Sequence, residues 1–211
     1  MSGKLILVRH GESEWNTLGK WTGLTDVSLT EKGKEEAKKA AEPLKKITID
    51  QGFCSVLARA KQTLEIILEE INRADLPVVY HAALNERDYG DYTARNKWEV
   101  KEEVGDEAFQ AIRRGYDTPI PNGENLKQVC ERVHPYYLKN ILPLLVEGKS
   151  IVLSAHHNSL RALIKLLETI SDEEAPSIEM KTGEVILYEV NKSGEVSSKK
   201  VIAENKDPGL Q

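Results

Sequence analysis

Cysteine is scarce in this chain: 211 residues contain two, Cys54 and Cys130, in no CxxC spacing. A disulfide framework is therefore not expected, and a reducing compartment fits best. Long apolar runs are missing too. Leu5 to Val8 is too short for the core of a signal peptide. The stretch from Ile141 to Val146 is too short to span a bilayer, and Pro143 interrupts it. These absences predict a cytoplasmic protein with no membrane partner. A basic excess is also lacking: 29 Lys and Arg against 34 Asp and Glu leave a net charge of -5, and nothing favours a nucleic-acid partner. An acidic chain that takes an anion must gather its positive charge locally, so clusters of arginine are more telling than the total. No repeat or low-complexity stretch stands out. The length suits a single domain over residues 1–211, with polar residues from about 203 to 211 expected as a mobile tail.

Strand and helix patterns alternate. "KLILV" (Lys4 to Val8), Phe53 to Val56, "PVVYH" and "SIVLSA" (Ser150 to Ala155) read as strands. Thr30 is a plausible helix cap with Glu31 in the first turn, and Pro43 should end or kink the helix that follows. "ARAKQTLEIILEEI" is an amphipathic helix, Trp98 to Arg114 reads as helical with a break at Gly105, and "NSLRALIKLLETI" follows the fourth strand. "NLKQVCERVHPYYLKNILPLLVEG" is a long helix expected to bend at Pro135 or Pro143 and to stop at Gly148. "GEVILYEV" and "SSKKVIAE", joined through "NKSG", form a hairpin. The alternation predicts a three-layer α/β/α fold with a mostly parallel central sheet.

In open α/β sheets ligands bind beyond the carboxyl ends of the strands. His10 follows one predicted strand and His156 another, so the two imidazoles would face each other if those strands are neighbours. One histidine at a strand end is more often a packing residue. Here, however, Arg9 precedes His10, Arg59 opens a helix after another strand, Glu86-Arg87 follows "AALN", and Arg113-Arg114 precedes a turn rich in Pro and Gly. Together they suggest an anion site. Trp15 and Trp21 are expected to pack around its entrance, and His81 and His134 to have no role in it. No His/Cys/Asp/Glu set has metal-ligand spacing.

The stretches "RHGESEWN", "TGLTDVSLTEKG", "ARAKQT", "LNERDYGD", "RRGYD", "PNGENL", "ERVHPYY" and "AHHNSLRALI" follow one another along the chain. In these stretches and in their order the chain resembles the phosphoglycerate mutases of the histidine phosphatase superfamily that depend on 2,3-bisphosphoglycerate. The resemblance implies a phosphoglycerate mutase-like fold and interconversion of 3-phosphoglycerate and 2-phosphoglycerate, primed by 2,3-bisphosphoglycerate without a metal. It makes His10 the phosphoryl carrier and Glu86 the proton donor and acceptor, with Arg9, Arg59 and His156 around the phosphoryl group. Substrate would be bound by Arg9, Ser13, Asn16, Thr22, Gly23, Arg59, Glu86, Arg87, Tyr89, Lys97, Arg113, Arg114, His157 and Asn158. Small phosphoglycerates are the implied partners, and the chain would be a monomer or a small homo-oligomer.

Two alternatives stand beside the mutase: a histidine phosphatase that hydrolyses a small phosphate ester, and an inactive phosphate-binding relative. The chain departs from the family most clearly at His157, where relatives place glycine. A Cβ at a glycine position predicts left-handed geometry or a displaced turn. It also predicts turnover that is sensitive to pH between about 6 and 8, where histidine titrates.

Overall fold

The computed structural model describes residues 2–206. Its six-stranded sheet comprises β1 (Gly3–Arg9), β2 (Gln51–Cys54), β3 (Val78–Tyr80), β4 (Ser150–Ala155), β5 (Val185–Val190) and β6 (Val196–Ala203), in the order β3-β2-β4-β1-β5-β6. The first four strands in that order run parallel; β5 and β6 are the predicted hairpin and run antiparallel.

The central strands are apolar on both sides because both faces are covered. In β1, Leu5 and Leu7 point into one core and Ile6 and Val8 into the other. Two helices, α2 (Glu31–Ala41) and α3 (Ala58–Glu70), pack together over the second core, following a short first helix, α1 (Glu14–Thr17). On the opposite face α6 (Leu126–Asn140) packs against α8 (His157–Leu167). A third, smaller core gathers Trp21, Tyr89, Val100, Phe109 and Ile112 beneath α4 (Lys97–Val104) and α5 (Asp106–Arg114). Burying an apolar or aromatic side chain of this size contributes about 1.5–3 kcal/mol, which gives that layer an apolar centre of its own.

The predicted punctuation is largely observed. Thr30 Oγ1 accepts from Gly33 N–H and starts α2, and Pro43 converts the helix after Ala41 into a 3₁₀ turn. Gly105, at φ 81°, separates α4 from α5. Pro135 stays inside α6. The break comes instead at Ile141, before Pro143 in the short helix α7 (Leu142–Val146), and Gly148 follows with φ 88°. Both cysteines are buried and unpaired. Among the described residues no helix is long and apolar enough to cross a membrane. Of the tail expected at 203–211, residues 207–211 lie outside the described residues; within it, Asn205 Nδ2 donates to Glu36 Oε1 at 2.8 Å.

Candidate active site

Strands β1 and β4 are neighbours, with Arg9 paired to Ala155, so the next residue of each is a histidine. The chain leaves β1 for α2 on one face and β4 for α8 on the other. This divergence opens a crevice at the strand ends, the place where such sheets bind ligands. His10 N–H donates to Ala155 O at 3.1 Å, and the two rings lie 5.0 Å apart at 57°.

His10 is 3% exposed. Its Nδ1 lies 2.7 Å from Gly11 O. A carbonyl only accepts, so Nδ1 carries the proton and Nε2 keeps its lone pair. Burial, then Arg59 and Arg9, push its pKa well below the usual histidine value. Gly11 is needed for packing: a Cβ there would sit 2.2 Å from Gly33 O of α2, and its N–H donates to Thr63 Oγ1 at 3.1 Å.

His156 is fully buried, with Nε2 2.7 Å from Ser55 Oγ. The Ser55 hydroxyl donates to Asn85 Oδ1 at 2.9 Å, so it accepts from the imidazole. Burial first, and Arg59 next, hold His156 neutral as well.

Arg59 lies in the first turn of α3. Its two terminal nitrogens donate to Thr25 O (3.0 Å) and Gly23 O (2.9 Å). Gly23 has φ 53°, which a residue with a side chain resists. Burial lowers the Arg59 pKa to about 10. Arg9 NH1 donates to Met180 O at 2.6 Å, and burial lowers its pKa too. Lys97 falls to about 8, through burial and then the field of Arg113 and Arg9. These buried cations repel one another, and an arriving anion would stabilise all of them.

Glu86 stands in the same opening. Its Oε1 accepts from Arg87 N–H (2.7 Å) and Asn158 N–H (3.1 Å), which leaves Oε2 for proton transfer. The opening is lined by Arg9, His10, Asn16, Thr22, Gly23, Arg59, Glu86, Tyr89, Lys97, Arg113, Arg114 and His157, together with Lys20 and Trp21.

The remaining expected site residues lie behind this lining. Ser13 donates to Asn16 Oδ1 at 2.8 Å. Arg87 is buried against the Tyr89 ring at 4.5 Å and donates to Ile112 O at 2.9 Å, tying the Glu86 loop to α5. Asn158 donates to Tyr89 Oη at 3.0 Å and accepts from Arg161 at 2.9 Å. His156 touches Ser55 beneath His10. His81 stacks on Tyr136 and His134 donates to Ala162 O, both outside the opening.

Sequence reasoning missed several supports. Arg132 donates to Ala83 O, Asn85 O and Glu86 O and pairs with Glu124, so it holds the Glu86 loop from below. Arg161 ties Asn158 to Arg114 O and Ala175 O. Both lie in stretches that carry the resemblance, but their helical spacing hid their contacts.

His157 corrects an expectation. It is the first residue of α8 and has no positive φ, so its Cβ requires neither left-handed backbone nor a displaced turn. Its Nε2 lies 3.3 Å from Arg114 NH1 and serves that guanidinium as an acceptor. Burial, then Arg9, Arg161, Arg114 and Arg113, push its pKa well below 6.5. A lowered histidine pKa leaves the ring neutral throughout pH 6–8 in the free protein. Because kcat/KM reports the free enzyme, the pH profile of kcat/KM over that window should be the same in His157→Gly as in the wild type. A profile that flattens in the variant would restore the titrating imidazole.

The family model for the histidine phosphatase superfamily (branch 1) matches residues 5–201. The chain is 42% identical over 206 residues to a 2,3-bisphosphoglycerate-dependent phosphoglycerate mutase of Parvibaculum lavamentivorans, covering 97% of this chain and 98% of that protein. It is 45% identical over 204 residues to the protein of that name from Chelativorans sp., covering 96% and 99%. Among solved structures, the alpha-ribazole phosphatase of Shigella flexneri superposes with a TM-score of 0.79 at 26% identity, covering 96% of this chain and 100% of that one. A mycobacterial glucosyl-3-phosphoglycerate phosphatase shares the fold, with a TM-score of 0.80 at 23% identity over 97% and 99%. With paired histidines at neighbouring strand ends and these relatives over nearly its whole length, the chain is an enzyme of the histidine phosphatase superfamily and belongs to the family of the 2,3-bisphosphoglycerate-dependent phosphoglycerate mutases.

Proposed function

We propose that this chain interconverts 3-phosphoglycerate and 2-phosphoglycerate, in glycolysis and gluconeogenesis, through a phosphoryl group carried on His10. The observation that carries the reading is an imidazole held neutral with its Nε2 lone pair available, sharing one cation-lined opening with Glu86. The priming donor, 2,3-bisphosphoglycerate, supplies the phosphoryl group. The lining fits its charge, since Arg9, Arg59, Lys97, Arg113 and Arg114 converge there.

In priming, Nε2 of His10 attacks phosphorus in line as the ester P–O bond breaks, and Glu86 protonates the departing oxygen. When 3-phosphoglycerate binds, its C2 hydroxyl attacks the phosphohistidine, and Glu86 takes the hydroxyl proton. After the ligand turns over in the pocket, the 3-phosphoryl group passes to His10 and Glu86 returns the proton to the oxygen it leaves.

Arg9 and Arg59 stabilise charge on the equatorial oxygens, and His156 gains a proton at Nδ1 as the dianion arrives. Arginine's planar fork suits the paired oxygens of phosphate. Asn16, Thr22, Gly23, Tyr89, Lys97, Arg113, Arg114 and His157 hold the substrate's other acid group, while Ser13, Arg87 and Asn158 fix those side chains from behind.

A coupled assay on 3-phosphoglycerate, with and without 2,3-bisphosphoglycerate and with released phosphate followed in parallel, tests the reading. Primer-dependent isomerisation that exceeds phosphate release supports it; phosphate release without isomerisation would sink it in favour of a phosphatase. Because side-chain cations carry the charge stabilisation, EDTA should leave the rate unchanged. Loss with EDTA and recovery with Mg²⁺ or Mn²⁺ would refute that assignment.

A further inference from the structure

One carboxylate at the opening has no part in this chemistry. Glu179 forms an ion pair with Arg114 NH2, on the same guanidinium whose NH1 contacts His157. The Arg114 side chain is 15% exposed and that of Glu179 is 53% exposed. The cation thus belongs to the pocket wall and the carboxylate reaches it from solvent. Its field extends further, since it raises the proton affinity of both Arg9 and Arg113.

The backbone beside Glu179 is pinned. Ile178 and Met180 are buried, Met180 O accepts from Arg9, and Arg161 grips Ala175 O a few residues earlier. No lid movement is needed to clear the pair: the Glu179 side chain alone has to swing out.

We propose that Glu179 is a built-in competitor for the subsite that takes the substrate's non-reacting acid group. This rests on the mutase reading above. In the free enzyme its carboxylate occupies Arg114, and an incoming carboxylate or second phosphate displaces it. The ion pair is made to Arg114 and not to His10 or Arg59, where the reacting phosphoryl group binds. Glu179 therefore acts through Arg114 as a positioning residue that sets affinity for diacids without entering the chemistry. It also speeds product departure, because it is ready to retake the guanidinium.

The pair is partly exposed, and such pairs are worth little, so its removal should tighten a diacid by about three- to tenfold and no more. Glu179→Gln keeps the side chain's size and removes its charge. Calorimetric titration of wild type and Glu179→Gln with 3-phosphoglycerate and with glycerol 3-phosphate, which lacks the carboxylate, reads the effect. The expected result is a Kd for 3-phosphoglycerate about three- to tenfold lower in the variant, with glycerol 3-phosphate within about twofold. In turnover the variant should lower KM while kcat stays level or falls, whereas a merely structural loss would weaken both ligands. An Arg114→Gln background should abolish the gain from Glu179→Gln. Equal changes for both ligands, no change, or weaker diacid binding would overturn the proposal. The selectivity is read from binding and needs no isomerisation, so failure of the mutase reading would appear separately, in the wild-type assay.

Discussion

His10→Ala should lose about 10⁴–10⁶-fold in turnover, the scale on which removal of an enzyme's nucleophile is felt. The loss should come with the fold intact, since among the described residues the ring hydrogen-bonds to the carbonyl of its own neighbour Gly11, and the bond to Ala155 O is made by the backbone N–H, which alanine keeps. Wild type incubated with 2,3-bisphosphoglycerate should gain one phosphoryl group that is labile in acid and stable in base. Mass spectrometry of the intact chain before and after acid treatment checks this, and the variant should gain none. An acid-labile phosphoryl group on His10→Ala, formed at the wild-type rate, would move the nucleophile elsewhere.

Glu86→Gln is expected to cost about 10²–10⁴-fold, the usual contribution of a positioned acid and base. Glutamine keeps an oxygen that can still accept from Arg87 and Asn158 N–H, so the loop should hold its place. What disappears is an exchangeable carboxyl proton. A donor with a better leaving group needs less protonation, so phosphorylation of His10 by an acidic phenyl phosphate should suffer far less than turnover of phosphoglycerate. If both suffer equally, Glu86 is structural and not a proton carrier.

Most of this site was legible because strand ends and helix starts leave marks in sequence. The apolar run before Arg9-His10 and the one before His156 located both histidines, and β1 and β4 proved adjacent, as the facing arrangement required. Pattern alone could not give that adjacency, which depends on strand order. Nor could it give Arg132 and Arg161, whose contacts reach across 46 and 47 residues. Along a helix such residues look like any other polar position. His157 departs from the expectation for a different reason: it is the first residue of α8 and not a turn position, and its backbone has no positive φ. Burial and the four arginines around it lower its proton affinity, which no local pattern in the sequence announces.

The division of the pocket between the central sheet and the small aromatic core has a dynamic consequence. His10 and His156 hang from β1 and β4, the two central strands, with cores on both faces. Their amides should exchange with solvent only through global unfolding. Lys97, Arg113 and Arg114 belong to α4 and α5, which rest on the small aromatic core around Trp21. That layer rests on a smaller core than the sheet does, and segments of this kind open locally at lower free energy. Warming or mild denaturant should therefore release the grip on the substrate's distal acid group while the phosphoryl-carrying centre is still intact. The enzyme would pass through a state that can still be phosphorylated but has lost its discrimination.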